Sequence, residues 1–430
     1  MTSHDSQYAD YTVAKGLEMT RQELPNELLI QILKCLLPPI KPTPTSDTII
    51  DYYQQLTLFA ALRAVSGQWD SVISFLLYDH VLLPSTSIDQ VKPTIGLMAQ
   101  CRNPELIKIL TISGLSGNPT KVSIEQSKEG LALLNTHLQR LKNAQIRRLE
   151  LIGETPAFQT RQWKSRTLPN LHNSLETLVL THFGYKQTSL ALVEVGPSLH
   201  HLEMVGWQYV HRHSRPTLHL PSNMPNLTKL VLKDCFPFRN DFAKLFSRIG
   251  EPIFDPVRKR TVLKSNLREF LLQGNSILRP TDVLELVRLN SIGKSLTVLH
   301  LSFSHSTSGK PEAGTLIAKT CRSLIDFQYT GPIQQSFFSA LAPSISKLGV
   351  AIWSPSNGFT SALYLSTLNL GYFTQERLKD VLLAPCVLDE LNIVVHGLKY
   401  EPRFVPQFGV ADEKAIRAKG TRIDVEFLNV

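Results

Sequence analysis

Cysteine is scarce in this sequence, and the five that occur stand far apart, at positions 35, 101, 235, 321 and 386 of 430. An odd number without short spacings predicts neither a disulfide framework nor a zinc site, and favours a reducing compartment. Long apolar runs are lacking too, since stretches such as "ISFLL" are far too short to cross a bilayer. The first twenty residues contain no apolar run typical of a signal peptide. We therefore expect a cytoplasmic or nuclear protein, or one found in both compartments, without a membrane partner.

Charge of one sign is also limited. The 45 lysines and arginines against 36 aspartates and glutamates give a formal net charge of +9, and the basic residues are scattered. This composition permits an acidic partner but does not favour nucleic-acid binding, which stays a minor alternative. With 43% hydrophobic and 19% charged residues the chain is typical of a folded protein. Its length predicts several domains or an elongated repeat architecture.

A helix with apolar residues on nearly every side is predicted by "LPNELLIQILKCLLPP", residues 24–39. Pro25 suits a first helical turn, Glu27 suits its positive end, and the final two prolines close it. Two adjacent apolar stripes run along this helix, one made of Leu28, Ile32 and Leu36 and the other of Leu29, Leu33 and Leu37. Two stripes need two partners. One can be the chain's own helices, and the other is most simply a different protein.

The surrounding segments complete a small N-terminal region. Residues 1–20 are predicted to be a mobile polar arm, and residues 21–83 a helical domain with a loop insertion at 38–55, where four prolines and small polar residues gather. Apolar residues then recur at helical spacing on both sides of Gly67. We expect three short helices between about residue 24 and about residue 78.

A repeated pattern occupies the rest of the chain. The spacing Leu-x-x-Leu-x-Leu, with other apolar residues allowed, begins at Ile107, Ile146, Leu175, Leu199, Leu227, Leu267, Leu296, Leu324, Ile345, Leu365 and Leu388. Most gaps between these starts are 20 to 29 residues, the range typical of leucine-rich repeats, and one longer gap contains the insertion "GEPIFDPVRKRTVLKSN". Helical segments lie between the predicted strands. We therefore predict an α/β fold in which residues 84–430 form a solenoid of about eleven irregular repeats, with a curved parallel sheet inside and helices outside.

The position eight residues after each repeat start carries aromatic side chains in several repeats. It is Phe183, Trp207, Trp353 or Phe373 in four of them, and Cys235 or Asn275 in two others. Such aromatics could line a ligand cage, but this position points into the interior of a solenoid. Packing is therefore the favoured interpretation.

Motifs for catalysis, metals and cofactors are not apparent. Gly293-Lys294-Ser295 ends like a phosphate-binding loop, but Arg288 stands where the glycine turn is required. Histidines gather at positions 200, 201, 211, 213 and 219, without a cysteine partner or a His-Glu-x-x-His spacing, so solvated or hydrogen-bonded histidines are the simpler interpretation. No Gly-x-Ser-x-Gly elbow occurs. We expect no catalytic residue, no metal site and no cofactor on this chain.

Taken together, the two regions resemble an F-box protein with C-terminal leucine-rich repeats. "LPNELLIQIL" and "LRAVSGQWDSVI", within residues 24–76, are similar to the F-box, and "CRSLIDFQYTG" is similar to the cysteine-containing repeats of this family. Asp70 follows Trp69 where a basic residue is common in the family. The resemblance implies a non-catalytic substrate receptor of a cullin-based, SCF-type ubiquitin ligase. Its F-box would bind a SKP-family adaptor and, through it, a cullin, and its repeats would bind a target protein of unknown identity.

Candidate binding residues follow from this resemblance. The predicted adaptor contacts are Leu24, Pro25, Leu28, Ile32, Leu36, Leu62, Val65 and Trp69. In the alternative interpretation most of them pack against the repeats, and the F-box-like segment only caps the open end of a repeat scaffold. Residues two, four and six positions after each start would face the concave side of the solenoid and contact the target: Arg148, Glu150, His201, Glu203, Lys229, Lys233, Glu269, His300, Asp326, Gln328, Asn369 and Glu390. Their mixed signs favour a protein or peptide target, although any one of them can equally be solvated surface.

Overall fold

The computed structural model of the chain describes residues 24–36, 46–84, 104–113, 144–152, 174–182, 198–207, 224–235, 242–247, 249–255, 260–274, 278–303, 310–331, 335–352, 390–397 and 422–429, with the single residues 414 and 418. Several predictions fall outside these residues: the N-terminal arm, the repeat that starts at Leu365, Asn369, Phe183, Asn275, Trp353, Phe373, and the histidines at 211, 213 and 219.

Three helices form the N-terminal region: α1 (Asn26–Leu36), α2 (Ser46–Leu62) and α3 (Gly67–Asp79). The prediction of a loop through residue 55 was wrong for its second half, because α2 already begins at Ser46. The apolar residues of α2 recur every three or four positions and are buried: Ile49, Tyr52, Tyr53, Leu56 and Phe59. Burial of this stripe outweighs the preference of the small polar residues before it for a turn.

Fourteen strands are described: β1 (His80–Pro84), β2 (Ile109–Ser113), β3 (Arg148–Ile152), β4 (Thr177–Thr181), β5 (His201–Val205), β6 (Lys229–Lys233), β7 (Glu251–Asp255), β8 (Arg260–Lys264), β9 (Glu269–Gln273), β10 (Val298–Ser302), β11 (Asp326–Gly331), β12 (Lys347–Ile352), β13 (Glu390–Gly397) and β14 (Arg422–Asn429). Ten of them, β1–β6 and β9–β12, form one parallel sheet in the order of the chain. Each of its strands from β2 onward begins two residues after a predicted repeat start. The fold is therefore α/β with a solenoid-like sequence of parallel strands.

Two parts of the strand pattern differ from expectation. The sequence gives no repeat signal for β1, which follows α3 without a break and pairs with β2. The strand expected after Leu388 is β13, but it pairs with β14 in a separate two-stranded sheet rather than continuing the ten-stranded one. The predicted insertion after β6 contains the antiparallel hairpin β7–β8.

One face of the ten-stranded sheet forms the main hydrophobic core. In β5, for example, Leu202 and Met204 are buried while the residues that alternate with them, His201, Glu203 and Val205, are half-buried. The helices α4 (Phe242–Leu245), α5 (Pro280–Arg288), α6 (Ile292–Ser295) and α7 (Pro311–Thr320) lie between strands along the chain. Their side chains, such as Val283 and Ile317, join the same buried cluster as the strand leucines. Each repeat thus buries its apolar face against its neighbours.

A left-handed turn follows four of the strands at the same repeat position. His182, Gly206, Asp234 and Gly274 stand seven residues after their repeat starts, with φ values of 57°, 61°, 50° and 73°. A Cβ atom on Gly206 would lie 2.4 Å from His182 Nδ1, and one on Gly274 would lie 2.2 Å from Asp234 Oδ1. Successive turns are therefore in contact, and glycine both permits the conformation and makes room for the neighbouring side chain.

Serine hydroxyl groups link consecutive repeats at the strand entrances. Ser174 donates to the carbonyl of Ile146 (3.1 Å), and Ser295 donates to that of Leu267 (2.8 Å). Ser344 repeats this contact with the carbonyl of Leu324 at 2.6 Å. In each case the serine directly precedes one repeat start, and the acceptor is the preceding start. These bonds satisfy carbonyls in the loops that enter the sheet.

The N-terminal helices cover the free edge of β1. The hydroxyl of Tyr52 donates to the carbonyl of His80 at 3.1 Å, and that of Tyr53 donates to the carbonyl of Leu82. The side chain of Leu82 belongs to the buried cluster of the helices, whereas its neighbours Val81 and Leu83 belong to the sheet core. An edge strand exposes unpaired backbone groups, and α2 satisfies two of them here.

Candidate functional site

Helix α1 has one buried and one exposed apolar face. Leu29 and Leu33 are each 1% exposed and belong to the helical core, which they share with residues of α2 and α3. Ile30 is partly buried against the same core, whereas four apolar side chains at a spacing of four residues are exposed: Leu24, just before α1, at 44%, Leu28 at 43%, Ile32 at 45% and Leu36 at 51%. We call these four residues the α1 stripe. Leucine and isoleucine at helical spacing of four on a solvent-facing surface are typical of an interaction face.

The remaining predicted adaptor contacts flank the α1 stripe. Pro25 is exposed, and Val65, in the turn between α2 and α3, is 59% exposed. The side-chain amide of Gln68 donates to the carbonyl of Leu24 and to the side chain of Asn26, so it holds the start of α1 beside the start of α3. Leu62 and Trp69 differ from the others because they are partly buried against the helical core. The structure thus exposes six of the eight candidates.

Two exposed apolar residues of this region were missed by the sequence analysis. Leu58 on α2 is 49% exposed and Phe75 on α3 is 47% exposed. Phe75 is exposed although Val72, Ile73 and Leu76 of the same helix are buried. A helical-wheel projection of α2 and α3 could have predicted that these two side chains are exposed. Such a projection needs the bounds of both helices, which the sequence did not predict closely enough.

Asp70, the departure from the family pattern, is paired within the helical motif. Its carboxylate lies 2.5 Å from Nε of Arg63 and also accepts from the hydroxyl of Ser74 at 3.5 Å. The hydrogen bond to Asp70 is the largest cause of a raised pKa of the Arg63 guanidinium. The carboxylate is thus tied to the turn between α2 and α3 instead of standing alone beside Trp69.

The second candidate surface is the face of the ten-stranded sheet opposite the core, which we call the open face. The ten predicted target contacts from Arg148 to Gln328 all lie on it and are half-buried. Glu390 does not join them, because it begins β13 of the separate two-stranded sheet.

Charges on the open face are largely paired with one another. The described pairs are Arg148–Glu150 at 2.7 Å, Lys233–Glu203 at 2.8 Å, Lys229–Glu269 at 2.8 Å and His300–Asp326 at 3.0 Å, the last being an ion pair only when the imidazole is protonated. Three of these four pairs join neighbouring strands of the sheet. A surface whose basic groups are already held by carboxylates offers little to a phosphate backbone.

The first strands of the open face are less accessible than the later ones. Thr111, Ser113 and Thr181 are buried although they stand at open-face positions. Thr111 accepts from the imidazole of His80 (2.8 Å, with Nε2 as donor) and donates to Glu150 (2.9 Å), so a chain of hydrogen bonds crosses β1, β2 and β3. The accessible part of the open face therefore lies mainly on the strands from β5 onward.

A cavity of about 270 Å³ opens on the later strands of the open face. On the open face its wall and floor are formed by Gln273, His300, Ser302, Gln328, Thr330 and Gly349. These residues come from the four consecutive strands β9 to β12, and each of them stands at an open-face position.

His201, one of the predicted target contacts, has a pKa that is lowered from its ordinary value. Burial is the largest cause of its lowered pKa, and Lys229 acts in the same direction against the opposing influence of Glu203. Its Nε2 atom is buried and has no hydrogen-bond partner. The neutral imidazole is thus favoured at this position.

The described residues include no cluster of side chains suited to a metal ion. They contain no group of three or more histidine, cysteine, aspartate or glutamate side chains placed to hold a metal ion. Ser295, from the phosphate-loop-like tripeptide, uses its hydroxyl for the carbonyl of Leu267. Trp207 is 2% exposed, as expected for packing rather than for a ligand cage. Among the described helices, none has the length and apolar character needed to cross a membrane.

No protein-family model matches the chain, and no curated protein is significantly similar to it. The function is therefore inferred from the two candidate surfaces, the α1 stripe and the open face.

Proposed function

We propose that this chain is the non-catalytic substrate-recognition subunit of an SCF-type ubiquitin ligase. Helices α1 to α3 act as an F-box that binds a SKP-family adaptor and, through it, a cullin. The strands and helices that follow are irregular leucine-rich repeats whose open face binds a target protein. Ubiquitin transfer then proceeds by proximity, since the target lysine is held near the ubiquitin-charged enzyme at a raised effective concentration.

The observation that carries the proposal is the α1 stripe. Four large apolar side chains, three on α1 and Leu24 just before it, are 43% to 51% exposed, although the same helix buries Leu29 and Leu33. Full burial of such a side chain contributes about 1.5–3 kcal/mol, so covering the exposed half of each one contributes about 1 kcal/mol per residue. A protein surface that covers the α1 stripe would therefore gain about 4 kcal/mol from these residues alone.

A cap-only role is the second candidate, and the tyrosine contacts with β1 favour it. Tyr52 and Tyr53 of α2 do stabilise the free edge of the sheet. The α1 stripe is not part of the buried cluster that these tyrosines share with Leu82. Capping thus accounts for one side of the helical motif and leaves the exposed side of α1 without a role. Adaptor binding supplies that role.

The paired charges of the open face support a protein or peptide as the target. Lys229 and Lys233 would otherwise be suitable for phosphate contacts, but both are engaged by carboxylates. Nucleic-acid binding predicts an affinity that falls steeply with salt concentration. We expect no such binding at physiological ionic strength in an electrophoretic mobility assay with duplex or single-stranded probes.

Affinity purification from cells tests adaptor binding. The wild-type chain should recover a SKP-family adaptor together with a cullin, and the double variant Leu28→Asp with Ile32→Asp should lose both. The matched control is Leu316→Asp with Ile325→Asp, which places the same charges at exposed apolar positions of the repeats, 37% and 49% exposed. This control should retain both partners. If the folded wild-type chain recovers neither protein, the ligase assignment fails and the cap-only role stands.

Proximity labelling with the proteasome blocked identifies the target. Proteins that are labelled by the wild-type chain and by the control variant, and that accumulate as ubiquitin conjugates only with an intact α1 stripe, are expected to be the substrates. If the amount of ubiquitin conjugates of the labelled proteins is the same with the wild type, the α1 double variant and the control, the chain is a scaffold instead.

A further inference from the structure

The cavity on the open face has a wall chemistry that restricts what it can bind. Its polar side chains at open-face positions are two carboxamides, two hydroxyls and one imidazole, and it is lined by no carboxylate, lysine or arginine. Asp326 of the open face does not line the cavity, although its Oδ1 atom lies 3.0 Å from Nε2 of His300. A charged ligand group would thus lose its hydration without meeting an opposite charge. A neutral group that both donates and accepts hydrogen bonds matches this wall.

The cavity is slightly smaller than most sites for small molecules. Sites for small molecules and cofactors usually span about 300–1,000 Å³, and this cavity holds about 270 Å³. The volume is suited to one side chain that enters from a segment lying across the strands. Gly349 creates part of the space, because it stands opposite Gln328 in the register of β11 and β12 and brings no side chain to the open face.

From these observations we propose that the cavity over β9 to β12 is a subsite for one carboxamide side chain, asparagine or glutamine, of a target peptide segment. Gln273 and Gln328 each offer an amide donor and a carbonyl acceptor, and an incoming carboxamide offers the same two groups. Ser302 and Thr330, adjacent in the register of β10 and β11, add hydroxyls that can serve as donor or acceptor. The subsite deepens the proposed function, since it specifies the chemistry of the target that the receptor holds.

Rejection of the wrong side chain follows from the same groups. A leucine in the cavity would leave the amides and hydroxyls of the wall without partners, and a site built for hydrogen bonding discriminates strongly against an analogue that cannot form them. Because the wall is only half-buried, the difference in affinity between a carboxamide and an alkyl side chain is smaller than in an enclosed site. We expect at least about tenfold weaker binding when the carboxamide is replaced by an alkyl group of similar size.

Selection from a random 12-residue peptide library displayed on phage tests the subsite, with the full-length chain immobilised. Peptides enriched by the wild-type chain should share asparagine or glutamine at one fixed position. Two variants alter the cavity in different ways: Gly349→Leu fills it, and Gln273→Leu with Gln328→Leu keeps its volume but removes the amides. Both should weaken the enriched peptides by at least about tenfold. Thr177→Leu, at an open-face position of the distant strand β4, is the matched control and should leave peptide affinity unchanged.

Three results would overturn the subsite: a shared charged residue instead of a carboxamide, unchanged peptide affinity in both cavity variants, or no enriched sequence at all. Adaptor binding is measured on the same protein samples, so the two proposals can fail separately. Loss of adaptor binding with intact carboxamide selection removes the ligase assignment and keeps the subsite. Intact adaptor binding without carboxamide selection keeps the ligase assignment and removes the subsite.

Discussion

The two faces of helix α1 make opposite predictions for protein stability. Leu29 and Leu33 are each 1% exposed, whereas Leu28 and Ile32 are 43% and 45% exposed on the same helix. Truncation of a fully buried leucine to alanine typically costs about 2–5 kcal/mol, from lost burial and from the cavity that remains. Truncation at the half-exposed positions removes little buried area and improves helix propensity, so its cost should stay within about 1 kcal/mol.

Urea denaturation followed by circular dichroism measures the difference. We expect Leu29→Ala and Leu33→Ala each to lower the free energy of unfolding of the helical region by about 2–5 kcal/mol. Leu28→Ala and Ile32→Ala should unfold at nearly the wild-type urea concentration. If the exposed pair destabilises the protein as much as the buried pair, the α1 stripe is packed against this chain and cannot be kept for a partner.

Three further predictions concern groups away from α1. Burial raises the pKa of Cys235 and Cys321 to about 12, so at about pH 8 iodoacetamide should alkylate exposed Cys35 far faster than these two, as peptide mass spectrometry will show. Tyr53→Phe should cost about 1–2 kcal/mol of unfolding free energy in urea, because it leaves a buried carbonyl of β1 without its donor. The pKa of His201 is lowered in the folded state, so its contribution to stability is complete above its unfolded pKa of about 6.5 and is lost as the pH falls. The stability advantage of the wild type over His201→Gln should therefore grow from about pH 5 to about pH 7 in the same assay.

Periodicity predicted the repeat strands well because each strand has the same physical requirement. Leucines such as Leu178 and Leu230 stand at alternate positions of their strands and are buried in the same core. Parallel pairing with the next repeat then determines where each strand begins. The hairpin β7–β8 was recognisable only as an insertion, since its strands lack this alternation. Strand β1 was missed because its burial depends on contacts from α2, nearly thirty residues earlier, which local sequence does not reveal.

The candidate sites were predictable to different degrees. The α1 stripe follows from helical geometry, since Leu28 and Ile32 lie one turn apart on a helix that is too apolar to bury every side. The cavity was not predictable, because it depends on register: Gly349 becomes a cavity wall only when it is placed opposite Gln328. The serine links between repeats could have been found from the serine that precedes Leu175, Leu296 and Ile345. Their acceptors, however, are in the preceding repeat.

Titration calorimetry with purified proteins gives the most direct test of whether α1 presents an adaptor-binding surface. The full-length chain is titrated with a SKP-family adaptor, and so are the Leu28→Asp/Ile32→Asp variant and the Leu316→Asp/Ile325→Asp control. We predict one adaptor per chain for the wild type and the control, a negative heat-capacity change from apolar burial, and no measurable binding for the α1 variant. Absence of binding to the folded wild-type chain, or equal affinity of the α1 variant and the wild type, would contradict the assignment of α1 to α3 as a working F-box.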